Sequence, residues 1–136
     1  MRAVTVALVA LALVGCGAVK SGAEKSKAEN ALKALSIDYL EFQQANQGRP
    51  AASAEELAAF VAGRPDAALR PGELETLAVQ WGAALDPRGP DAGQRLLASG
   101  SKVGGEVPVM MQDGSVKWVG EAAFASLPKA EPAKRP

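Results

Sequence analysis

Catalysis needs groups that attack, exchange protons or hold a metal, and this chain offers few of them. Histidine is absent and there is one cysteine, Cys16. Without an imidazole there is no Ser-His or Cys-His pair, and no Gly-x-Ser-x-Gly elbow is present. Ser101 and Lys102 are adjacent, and adjacent side chains of an extended chain point apart. A serine–lysine pair would have to recruit Lys117 or Lys33 instead. Asp38 and Glu41 lie one helical turn apart, and Glu55 and Glu56 fall in the first turn of a helix. A paired-carboxylate hydrolase would use such residues, but a solvated helix face accounts for the first pair, and cap and dipole roles account for the second. Asp86, Asp91 and Asp113 are weak candidates for calcium: oxygen donors without EF-hand spacing or a cluster of soft ligands. Asp113 is also fully explained as a turn residue. The expectation is therefore no catalytic residue, no resident metal and no enzyme.

Cys16 is different, because its surroundings give the thiol a reaction. Met1-Arg2 supplies a positive start, residues 3–14 are an uncharged apolar run, and Leu13-Val14-Gly15-Cys16 closes it. This is the lipobox pattern: an aliphatic residue, a small or branched one, Gly or Ala, then Cys. Small residues admit the bond between Gly15 and Cys16 to a signal peptidase, and the sulfur is alkylated by a diacylglycerol. The run is short for a span of ~20 residues. Two acyl chains anchor stably, since each buried methylene contributes ~0.8 kcal/mol. The covalent lipid on Cys16 is the only non-protein group expected. Gly17 follows Cys16 in place of an aspartate, the default for outer-membrane sorting in a two-membrane bacterium.

Composition agrees with a small exported domain. The 136 residues carry 15 Lys+Arg and 15 Asp+Glu, so no basic face for nucleic acid and no polybasic lipid-binding cluster is implied. No glycine loop for nucleotide phosphates is present. Acylation of Cys16 leaves no free thiol, which excludes disulfides. Aromatics are 4% of the chain, so Trp81, Trp118, Tyr39 and the three phenylalanines are expected to fill most of a small core.

The periodicities place the elements. Ala28, Ala31, Leu32, Leu35, Tyr39, Phe42 and Asn46 recur at three- and four-residue steps, predicting a helix over 24–46 that ends at Gly48 and Pro50. Ile37 and Leu40 lie off that stripe and ask for a cover. Ser53 and Glu56 form a capping box that starts a second, short helix with Leu57, Phe60 and Val61 inward. Residues 63–76 read as loop. Leu77, Val79 and Trp81 alternate as a half-buried strand, and residues 94–99 read as a short strand with helix as the alternative. Asp113-Gly114 predicts a type I′ hairpin, pairing Met111 with Val116 and Val109 with Trp118. That register puts Val107, Val109, Met111, Val116 and Trp118 on the buried face and Met110, Gln112, Ser115 and Lys117 on the other. Pro108, lacking an amide, is expected to weaken the pairing. Residues 121–127 add a helical turn with Phe124 and Leu127 inward, and 128–136 read as a disordered tail.

The order of these elements resembles the globular part of type IV pilins and type II secretion pseudopilins, and more narrowly a class of bacterial lipoproteins with such a domain. The carrying pieces are Leu32-Lys33-Ala34-Leu35 with Tyr39, Arg49-Pro50 with Ser53 to Leu57, Trp81-Gly82, and the hairpin from Val109 to Lys117. The resemblance implies an α+β fold, with a long N-terminal helix and a short helix packed on a small antiparallel sheet that ends in the Asp-Gly hairpin. The chain departs from pilins at its start, where a lipobox and a polar helix beginning replace the prepilin cleavage site and filament-forming apolar helix.

Four segments are thus expected: a lipoprotein signal peptide (1–15), a lipidated cysteine and tether (16–26), a pilin-like domain (27–127) and the tail (128–136). The expected role is a non-catalytic interaction or structural lipoprotein of the cell envelope. It would face outside the cytoplasm, on the periplasmic side of the outer membrane or the cell surface in a Gram-negative cell. Its expected partners are the membrane and another envelope protein, with Ile37, Leu40, Met110 and the sheet edge as candidate contacts. The alternative is a ligand- or calcium-binding lipoprotein, and a hydrolase is the third reading.

Overall fold

In a computed structural model, the backbone is described for residues 2–133 and the side chains for residues 22–133. The elements are α1 (Arg2–Ala45), α2 (Ala54–Ala62), β1 (Ala78–Val79), β2 (Leu96–Ser99), β3 (Glu106–Met111), β4 (Val116–Gly120) and α3 (Glu121–Ser126). The strands form one antiparallel sheet in the order β1-β2-β3-β4. The α+β architecture is the expected one: a long helix and a short helix on a small antiparallel sheet.

The stripe on α1 becomes its core face. Ala31, Leu32, Leu35, Tyr39 and Phe42 are buried, and each large apolar side chain contributes about 2 kcal/mol on leaving water. Leu32, Leu35, Tyr39 and Phe42 meet Leu57 of α2 and Leu97, Ala98 and Met110 of the sheet in one cluster. The helix ends where Gly48, at φ +85°, donates its amide to the Gln43 carbonyl (2.6 Å). α2 starts as expected at Ser53, whose Oγ accepts from the Glu56 amide at 3.2 Å. The reciprocal half of the capping box is replaced: Glu56 Oε1 pairs with Arg49 Nη2 at 2.6 Å. Leu40 is half-buried against the core, whereas Ile37 stays 52% exposed.

The hairpin differs from its expected register by one residue. Met110 lies opposite Val116, Val109 opposite Lys117 and Pro108 opposite Trp118. The turn explains the slip. Gly114 N donates to Met111 O (2.9 Å) and Met111 N to Ser115 O (2.8 Å), while Gly114 has φ +91° and Asp113 is not left-handed. This is a three-residue loop, a type I turn followed by a glycine bulge, and not the two-residue type I′ turn. A slip of one residue moves every β4 side chain to the other face. Val116 therefore joins Met110 under α1, and Val107, Val109 and Met111 turn to the opposite face.

That opposite face is also covered. Leu96, Val107, Val109 and Met111 pack with Val119, Phe124 and Leu127, so α3 places Phe124 and Leu127 inward as expected. Because both faces are buried, Met110 is fully buried and is not a surface contact. Pairing also continues past Pro108 to Glu106 and Gly120. In the actual register, strand alternation puts Pro108 at a non-hydrogen-bonded site toward β4, and its carbonyl accepts from Gly100 N on the β2 side (3.0 Å).

The expected disordered tail is a second correction. Its described part, residues 128–133, docks on β2 through a parallel bridge between Leu96 and Lys129, and Ala130 is buried. Composition hides this, because the docking uses backbone groups and one methyl. Residues 134–136 lie outside the described residues.

Candidate functional site

Cys16 and Gly15 lie within α1; the side chain of Cys16, and with it the lipidation expectation, lies outside the described residues. α1 runs without a break through residues 16–26, so the segment read as a tether is helical. From Cys16 to Lys25 the helix spans ~14 Å. Lys25 of α1 reaches the sheet. Its Nζ lies 4.9 Å from the Trp118 ring centroid and 3.5 Å from Glu106 Oε1. One turn on, Glu29 accepts from Trp118 Nε1 and lies 3.7 Å from Lys33 Nζ. The helix leading from Cys16 is thus fastened to the far ends of β3 and β4.

The carboxylates that could have formed acid–base pairs are separated into other duties. Asp38 is 1% exposed, not part of a solvated face. Its Oδ1 accepts from Ala68 N (3.0 Å) and its Oδ2 from Leu69 N (2.7 Å). Glu41 pairs with Arg64 at 2.9 Å. Glu55 is exposed, and Glu56 is held by Arg49. Ser101 is exposed, Lys102 pairs with Glu121 at 2.7 Å and Lys33 with Glu29.

The calcium candidates sit in neighbouring loops without converging. Asp86 Oδ1 accepts from Arg88 N (3.2 Å), and Asp91 is exposed. Asp113 Oδ1 accepts from Ser115 N (2.9 Å) and Oγ (2.6 Å). The Ser115 bonds, hydroxyl first, hold the Asp113 carboxyl below its ordinary pKa. Among the described residues no three His, Cys, Asp or Glu side chains group as metal ligands. Nor is any helix long and apolar enough to cross a membrane among them.

Three buried polar side chains of α1 grip the loops. Asp38 holds residues 68 and 69. Tyr39 Oη donates to Ala83 O at 2.5 Å. Gln43 bonds both backbone groups of Leu85. Burial first, and the Glu56 carboxylate second, push the Tyr39 phenol up to about 12. A signal was present: Asp38 stands three residues after Leu35 and four before Phe42, inside the apolar stripe, where a carboxylate needs partners.

A groove of about 710 Å³ lies between α2 and the 64–75 loop and is lined by Ala58, Val61, Leu69 and Leu74 together with Arg64 and Arg70. A second, of about 460 Å³, separates the Glu24–Ala31 side of α1 from Ser101 and Lys102.

Compared with known proteins, the chain matches no family model, no curated protein and no solved structure.

Proposed function

We propose that this chain is a lipid-anchored cell-envelope protein whose α+β domain acts by contact, not catalysis. The observation that carries the reading is the lipobox, Leu13-Val14-Gly15-Cys16 after an apolar run. The contact role is supported by the duties of the acidic side chains: Asp38 on two amides, Glu41 on Arg64 and Glu56 on Arg49. The domain keeps its pilin-like element order, with the lipid anchor in place of a filament-forming helix, and it faces outside the cytoplasm.

Replacing Cys16 with serine tests the anchor. Labelled palmitate should be incorporated by the native chain and lost in Cys16→Ser, which should also leave the membrane fraction. Unchanged labelling and fractionation would remove the reading. For the contact role, affinity capture from detergent-solubilised envelope should return a reproducible partner, with a photo-crosslinker at exposed Ile37 as the probe. Failure to recover any partner would count against contact as the function.

A further inference from the structure

Residues 128–133 run extended along the start of β2. Leu96 N donates to Pro128 O (2.7 Å), Ala130 N to Leu96 O (2.8 Å), and Ala133 N to Gly82 O (2.8 Å). β1 pairs with Ala98 and Ser99, and Gln80 N, just past β1, donates to Leu97 O (2.8 Å), so Leu96 at the start of β2 offers a pairing position that this edge leaves open. The segment fills it. Ala130, 4% exposed, enters the main core cluster, while Lys129, Glu131, Pro132 and Ala133 remain exposed. At the far end Gly82 has φ +86°, and a Cβ there would lie 3.6 Å from Pro132 Cβ.

We propose that this slot, built from Leu96, the Gly82 turn and the recess that takes Ala130, is a strand-addition site for an extended peptide of the pattern Pro-x-Ala-x-Pro, with the chain's own 128–133 segment as its displaceable occupant. Backbone hydrogen bonds to an open edge supply affinity and one side-chain recess supplies specificity, which is the logic of strand addition to sheets. The bound segment itself shows what the slot accepts: parallel direction, one small side chain inward, and prolines that fix an extended backbone at low entropic cost. Its hold is modest. Three hydrogen bonds and one methyl work against the ordering entropy of six residues. A partner presenting a similar segment competes with a tethered one, whose effective concentration is in the millimolar range. The inference does not depend on the lipid anchor.

The test uses the full chain and a labelled six-residue peptide with the sequence of residues 128–133, capped at both ends. Ala130→Glu in the chain should expel its own segment. The peptide should then bind that variant at least tenfold more tightly than the native chain, and an Ala130→Glu peptide should bind neither. No binding to a variant with native circular dichroism, or equal binding to both chains, overturns the proposal. If the variant does not fold, amide exchange in the native chain decides. Exchange of Ala130 and Ala133 far faster than Val109 supports a displaceable strap. Exchange only through global unfolding makes it a fixed part of the core and overturns the proposal.

Discussion

Gln43 holds Leu85 in both directions: its Nε2 donates to the Leu85 carbonyl at 3.1 Å, and its Oε1 accepts from the Leu85 amide at 2.7 Å. The side chain therefore satisfies a residue 42 positions away as a neighbouring strand would. Gln43 is 7% exposed and Leu85 5%, so water cannot readily replace either bond. Gln43→Ala should destabilise the domain by about 2–3 kcal/mol, since two buried backbone groups lose their partners. Gln43→Glu keeps an acceptor for the amide but sets a carboxylate oxygen against the Leu85 carbonyl, and should cost at least as much. Urea denaturation of the two variants measures both.

Asp38 does the same for the 64–75 loop, with one oxygen for each of two successive amides. Asn has a single acceptor, so Asp38→Asn must turn an NH2 toward Ala68 or Leu69, donor against donor. About 2–3 kcal/mol should be lost, read as a fall in melting temperature. Asp38→Asn should also speed exchange at the Leu69 amide more than at Val109, because the loop is released before the sheet. Equal acceleration at both amides would mean that Asp38 stabilises the fold globally, not through the loop.

Tyr39 gives the domain an alkaline limit. Its phenol is raised from 10.0 to about 12, chiefly by burial. A raised acid binds its proton more tightly in the folded state, so its contribution is complete below pH ~10 and fades as pH rises toward ~12. Tyr39→Phe removes the bond to Ala83 O and should cost about 1 kcal/mol at neutral pH, while flattening the decline from pH 10 to 12 relative to the native chain. The chain has one tyrosine, so phenolate absorbance follows this group alone.

These three residues also mark how far the sequence could be read. Apolar periodicity found α1 and its face, because Leu32, Leu35, Tyr39 and Phe42 obey a local geometric rule. The same rule places Asp38 on that face but could not find what Asp38 and Gln43 hold, since their partners lie 30 to 42 residues on and nothing local specifies them. The α3 turn and the Ser53 cap were legible for the same local reason. The docked strap was not, because backbone hydrogen bonds leave no mark on composition. Among the candidate site residues, Asp86, Asp91 and Asp113 sit in neighbouring loops, but Asp86 and Asp113 each bond within their own turn, so sequence spacing does not tell whether their carboxylates converge.

The hairpin combines a legible turn with a misread register, and Gly114 is where the difference can be measured. Its φ of +91° is needed by the bulge, and a Cβ there would meet only Leu85 Cδ1 at 3.8 Å, so backbone conformation and not crowding is the constraint. Gly114→Ala should cost about 1 kcal/mol or more from strain in the left-handed region. Ser115→Ala isolates the other half of the turn. It removes the hydroxyl bond that contributes most to lowering the Asp113 carboxyl, so that group should titrate closer to its ordinary value of 3.8. A depressed carboxyl contributes stability that is present above 3.8 and lost as pH falls below it. The native chain should therefore lose more stability than Ser115→Ala as pH falls below 3.8. Carboxyl chemical shifts of Asp113 followed through an acid titration read the group directly. Identical titration in both chains would show that the Ser115 hydroxyl does not hold it.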